Sequence, residues 1–114
     1  MTEPRTLQGV LTQLAAGRPE IHGQPAAGAA DASSRAIDWS VGGTVFASLD
    51  QAGNAVELRL DDAVAKAATR TPDTAPSSRG AGWVRFAPAM LDDQAIDRLE
   101  AWFAFAARHA LDQA

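Results

Sequence analysis

The stretch from Ala36 to Pro88 decides the fold of this 114-residue chain. It contains, in order, AIDWSV, GG, TVFASLD, QAGN, AVELRL and DDAVAKAA, then a proline-containing loop and GWVRFAP. Apolar and polar residues alternate within AIDWSV, TVFASLD, AVELRL and GWVRFAP, which is the period of a half-buried strand. Gly42-Gly43 suits a type I′ hairpin turn, because both central positions of that turn need positive φ. We therefore predict an antiparallel meander of about four strands.

Strict alternation also predicts the face on which each side chain lies. Along TVFASL it places Ala47 and Leu49 on one face of the sheet and Phe46 and Ser48 on the other. One face of such a meander packs on the core and the other meets solvent.

A first helix is predicted before this sheet, over about Glu3 to Ala16. Leu7 and Leu11 recur there at helical spacing, and Thr2 is a suitable N-cap. Gly17 supplies the stop.

Two more helices are predicted to begin at aspartate N-caps. Asp61 or Asp62 caps the short segment DDAVAKAA, and Asp92 caps the C-terminal helix. The C-terminal helix carries an apolar stripe that we expect to close the core against the sheet. Its members are Ile96, Leu99, Trp102, Phe103, Ala106 and Ala110.

The segment from Arg18 to Arg35 is rich in Ala, Gly, Ser and Pro and has no visible period. It is predicted to be a mobile connection, in which Glu20 to Gln24 can form a short edge strand. The length fits one domain over residues 1–114. We predict an α+β fold with the N- and C-terminal helices on one face of the sheet.

Composition excludes several classes of protein. The absence of cysteine excludes disulfide frameworks, thiolate zinc sites and cysteine nucleophiles. No apolar run approaches the roughly 20 residues of a membrane span, and MTEPRT lacks the pattern of a signal peptide. We therefore expect a cytoplasmic protein that does not enter a membrane. The net charge of −4, from 10 basic and 14 acidic residues, disfavours nucleic acid as the partner.

The segments VGGTVFASLD, AVELRLDDAVAKAA and GWVRFAP, followed by an amphipathic helix, resemble the MmcQ/YjbR-like proteins. The same order is similar to the small domain labelled luciferase in bacterial sequence families, which shares the G-W-V strand. The resemblance covers about Trp39 to Arg108, and Thr44 stands where the family often has lysine. It implies an α+β, double-winged fold with a suggested role in DNA binding and a largely unassigned activity.

Few residues in the chain suggest catalysis. His22 and His109 lie in different predicted elements, without the local spacing of metal ligands. Helix capping accounts for the aspartate pairs before the second and third helices, and no G-x-S-x-G elbow is present. We therefore predict no catalytic residue, no metal and no cofactor. An enzyme that uses carboxylates and a histidine is kept as an alternative.

The candidate ligand site lies on the polar face of the predicted sheet. If AVELRL and GWVRFAP lie close together, Arg59, Trp83 and Arg85 can share that face with Glu57, and Arg79 lies in the loop just before. Guanidinium groups bind carboxylates and phosphates, so this face could hold a small anionic ligand. The alternative is a cross-strand ion pair beside an exposed tryptophan. A pocket between the loop Thr69 to Gly82 and the sheet is a further hypothesis.

We therefore predict a small, non-enzymatic binding or interaction domain with an anionic ligand or a protein partner. The flank of the last helix, with Arg98, Phe105 and His109, is a candidate homodimer contact. A DNA-binding module of the MmcQ/YjbR type is the alternative function.

Overall fold

A computed structural model describes residues 6–25, 36–50 and 53–113. Three helices accompany one open antiparallel sheet, whose six strands lie in the order β1-β2-β3-β4-β6-β5. The strands are β1 (Ile21–Pro25), β2 (Ile37–Val41), β3 (Thr44–Leu49), β4 (Val56–Arg59), β5 (Thr74–Pro76) and β6 (Trp83–Phe86). The helices are α1 (Leu7–Ala16), α2 (Asp62–Ala68) and α3 (Asp93–Gln113). Within the described ranges, no helix combines the length and the apolar character that a membrane span requires.

The sheet has six strands, so the prediction of about four was too low. The short edge strand predicted at Glu20 to Gln24 is confirmed as β1, while residues 26–35 of the predicted connection lie outside the described part of the chain. Strand β5 was missed. It has only three residues, ends in Pro76 and lacks an alternating apolar pattern, so its sequence resembles a loop.

Helix α1 begins at Leu7 rather than at Glu3. The Thr6 side chain accepts a hydrogen bond from the Gly9 N–H at 3.0 Å, as an N-cap does. The predicted cap Thr2 lies outside the described residues. The predicted end at Gly17 is confirmed.

Aspartate caps begin the other two helices, as predicted. Asp61 Oδ1 accepts from the Val64 N–H at 2.9 Å, and Asp92 Oδ1 accepts from the Ala95 N–H at 2.9 Å. Each bond satisfies one of the donors that a helix N-terminus leaves without an intrahelical acceptor. The two aspartate pairs therefore have a structural role at these helix starts.

All three helices pack on the same face of the sheet, and α3 crosses β2, β3 and β4. The members of the predicted α3 stripe from Leu99 to Ala110 are buried. Its first member, Ile96, is half-buried, and the neighbouring Ala95 lies in the core instead. Phe103 is 1 % exposed and lies at the centre of this layer.

A β-bulge in β3 corrects the predicted faces of that strand. Trp39 pairs with Ala47 and Ser40 pairs with Val45, so Phe46 is an extra residue between the two pairs. The bulge turns Phe46 to the helical face, where its ring lies 5.2 Å from that of Phe103. Phe46 therefore belongs to the core. Strict alternation had predicted that Phe46 and Ser48 share a face, and that prediction was wrong.

Candidate ligand site on the open face of the sheet

One row of side chains crosses the sheet on the face away from the helices, which we call the open face. Asp38 pairs with Ser48, Ser48 with Glu57, and Glu57 with Arg85. Directly paired residues on neighbouring strands point to the same face. Backbone register alone therefore brings together two carboxylates, a hydroxyl and a guanidinium that are far apart in sequence.

Arg79 reaches this row from the β5–β6 loop and joins its members. Its Nε donates to Glu57 Oε1 at 3.0 Å, and its Nη2 donates to Ser48 Oγ at 2.8 Å. Ser48 Oγ in turn donates to Asp38 Oδ1 at 2.7 Å. Ser48, only 3 % exposed, is covered on a face that otherwise meets solvent.

The loop that carries Arg79 is fixed by its own hydrogen bonds. Ser77 Oγ donates to Glu57 Oε2 and accepts from the Arg79 N–H. The Ser77 N–H donates to the Trp83 carbonyl at 2.9 Å, and the Trp83 N–H donates to the Gly80 carbonyl at 3.2 Å. The Arg79 guanidinium then lies over the Trp83 ring, 5.1 Å from its centroid, in a cation–π contact.

The other two predicted ligand residues have different surroundings. Arg85 Nη2 lies 3.3 Å from Asp50 Oδ2, so its ion pair is with Asp50 and not with Glu57 across the strand. Arg59 pairs in register with Trp83 and is half-buried. Within the described part of the chain, Arg59 makes neither a hydrogen bond nor an ion pair through its side chain.

Charge is unevenly distributed over the open face. Among the described residues, Arg59 and Arg79 bring two guanidinium groups to Trp83, and the carboxylate paired with them is that of Glu57. Asp61, two residues after Arg59, uses its carboxylate to cap α2. A guanidinium has five N–H donors, and the described contacts use two of those of Arg79. The end of the face at Trp83 therefore has a local excess of positive charge, and it has N–H donors that no described residue accepts.

The described residues place the two histidines on opposite sides of the sheet. His22 lies on β1 next to Ile21, whose side chain is buried on the helical face, so the imidazole lies on the open face. His109 lies on α3. No group of three or more His, Asp or Glu side chains within the described ranges could hold a metal ion. Ser48 has carboxylate and guanidinium neighbours, an arrangement that orients a hydroxyl without supplying a histidine base.

Two grooves formed by described residues lie on the helical side of the sheet. A groove of about 590 Å³ lies between α1 and the strands β1 and β2, and one of about 440 Å³ lies between α2 and α3. The hypothesis of a pocket under the loop Thr69 to Gly82 gains no support from them. In that region Arg79 and Ser77 bond directly to the sheet.

Comparison of the chain with protein-family models, with curated proteins and with solved structures finds no match. The resemblance to the MmcQ/YjbR-like proteins therefore stays a prediction from the sequence.

Sequence reasoning missed three members of the open-face network, namely Asp38, Ser48 and Ser77. The alternating pattern did indicate that Asp38 lies on a polar face. The bond between Ser77 and Glu57 joins residues 20 positions apart and depends on the β4–β6 pairing. No local pattern in the sequence indicates it.

Replacing Glu57 with glutamine is expected to lower the free energy of unfolding by about 1–2 kcal/mol, because a charged acceptor that holds two donors is lost. Urea denaturation measures this change. Glu100→Gln, at an exposed position on α3, is the matched control and should have little effect. Equal stabilities of the two variants would contradict a structural role for the Glu57 network.

Proposed function

We propose that this chain is a non-enzymatic binding module whose ligand is a small molecule with a carboxylate or phosphate group. The anionic group binds between Arg59 and Arg79, beside the Trp83 ring. The observation that carries the proposal is that, among the described residues, two guanidinium groups lie at one indole and one carboxylate, that of Glu57, is paired with them.

The surroundings of Trp83 support this proposal in two ways. Arg79 is already oriented by Glu57 and Ser48, so little side-chain entropy is lost when it donates to a ligand. The half-buried indole offers an apolar surface beside the cations, on which a flat ligand body can lie. Arg79 and Arg85 are paired with Glu57 and Asp50, so the unbalanced positive charge at this site comes from Arg59.

Arg59→Gln is expected to weaken binding of a small anion by about tenfold or more, the usual size of a hydrogen bond to a charged group. The measurement is an amide NMR titration of the full chain with inorganic phosphate and, separately, with benzoate. We expect saturable shifts at residues 57–60 and 79–85.

Arg108→Gln is the matched control, since Arg108 is an exposed arginine on α3, on the other side of the sheet. It should bind both anions as the unchanged protein does. Shifts that never saturate, or that survive Arg59→Gln at full strength, would remove the support for this site.

The DNA-binding alternative is tested by the same NMR method, with a DNA duplex in place of the small anions. The open face carries Arg59, Arg79 and Arg85, but Asp38, Asp50 and Glu57 lie on or beside it. Such a near-neutral surface is poorly suited to a phosphate backbone. Saturable shifts with a DNA duplex that weaken steeply as salt increases would favour this alternative over a small ligand.

A further inference from the structure

Arg98, on α3, has an unusual environment among the described residues. Its Nε atom is buried, and none of the described residues accepts a hydrogen bond from it. The guanidinium lies over the Phe86 ring at 5.6 Å from the centroid, and Phe86 packs edge-to-face on Trp102. A buried donor without an acceptor is uncommon in a folded protein and calls for an explanation.

Arg98 also lines the groove of about 440 Å³ between α2 and α3. The described walls of this groove are mainly apolar, with Val64 and Ala67 from α2 and Trp102 and Phe105 from α3. Arg98 is the one charged residue among the described lining residues. The volume falls within the range of small-molecule sites, which is about 300–1,000 Å³.

We infer that this groove is a second ligand site, which binds a monocarboxylate with an apolar chain or ring. The apolar body lies along Val64, Ala67 and Phe105, and the carboxylate accepts hydrogen bonds from Arg98. A carboxylate in the groove neutralises the guanidinium and accepts from its terminal N–H groups, whereas a neutral apolar ligand does neither. This site lies on the helical side of the sheet, so it is separate from the proposed anion site beside Trp83.

A second copy of the chain is the competing occupant. A stable dimer needs about 800 Å² of contact from each partner. In the described part of α3 the exposed large apolar side chains are Phe105 and Leu111. An open groove with one cation among its described lining residues fits a small amphiphilic anion better than it fits a broad helical face.

The test is an amide NMR titration of the full chain with octanoate, with 1-octanol as the probe that keeps the chain and lacks the carboxylate. Octanoate should give saturable shifts at residues 63–71 and 98–105. Arg98→Met should weaken the binding of octanoate by about tenfold or more and leave the shifts caused by octanol unchanged. Arg98→Met should also melt no lower than the unchanged protein, because it removes a buried donor without an acceptor.

Two further variants separate the possible outcomes. Ala67→Trp, at an exposed position of α2, should block the groove and abolish the octanoate shifts, while Arg59→Gln should leave them intact. The inference is overturned if octanoate gives no saturable shifts, or if Arg98→Met binds it as tightly as before. It is also overturned if the groove resonances move with protein concentration alone, since a second copy then occupies the groove.

Discussion

Replacing Phe103 with alanine is expected to lower the free energy of unfolding by about 3–5 kcal/mol. The Phe103 ring makes edge-to-face contacts with Phe46, at 5.2 Å between centroids, and with Trp39, at 6.3 Å. Truncation removes both contacts and leaves a cavity between α3 and the sheet. Because a domain of this size is stable by only about 5–15 kcal/mol, the variant should have lost a large part of its stability.

Phe105→Ala is the matched control for this experiment. Phe105 lies on the same helix and is 47 % exposed, whereas Phe103 is 1 % exposed. Its truncation should change the stability by no more than about 0.5 kcal/mol. Equilibrium denaturation in urea measures both variants. Similar losses for the two would mean that the rings of Phe46 and Trp39 do not pack on α3 as described.

Gly82→Ala is expected to destabilise the fold by roughly 2–5 kcal/mol, from two additive causes. Gly82 has φ of +82°, which an alanine adopts only with strain. A Cβ atom at Gly82 would also lie 2.9 Å from the Leu60 carbonyl oxygen, a backbone atom that cannot rotate away. The clash would push the start of β6 from the end of β4, where the Leu60 N–H donates to the Gly82 carbonyl at 2.8 Å.

Gly43→Ala measures the dihedral part of this effect, so the difference between the two variants gives the steric part. Gly43 also has φ of +82°, but no atom lies within 4 Å of the position of its Cβ. It should cost only the dihedral strain, roughly 1–2 kcal/mol. Thermal and urea denaturation of both variants give the difference between their free energies of unfolding. Gly82→Ala should in addition weaken phosphate binding, because it separates Arg59 from Trp83. Equal losses of stability in the two variants would contradict the close approach of Gly82 to the Leu60 carbonyl.

Local sequence determined the elements that depend on neighbouring residues. Period-two alternation located β2, β3, β4 and β6, and aspartates with free acceptors located the starts of α2 and α3. The pattern of α3 separated Phe103 from Phe105, because a residue two positions further along a helix lies on another side of it. These features follow from backbone geometry within a few residues.

Only the tertiary structure decided the composition of the candidate sites. Phe46 joined the core because the pairing of β2 with β3 contains a bulge, which alternation within β3 does not indicate. Arg79 bonds to Ser48, 31 positions away, because the β5–β6 loop folds over the open face. Arg98 lies over the Phe86 ring and lines a groove with residues of α2, which the pattern of α3 alone does not indicate. Each outcome depends on contacts between residues far apart in sequence, whose register is fixed only when the whole sheet and its helices have packed.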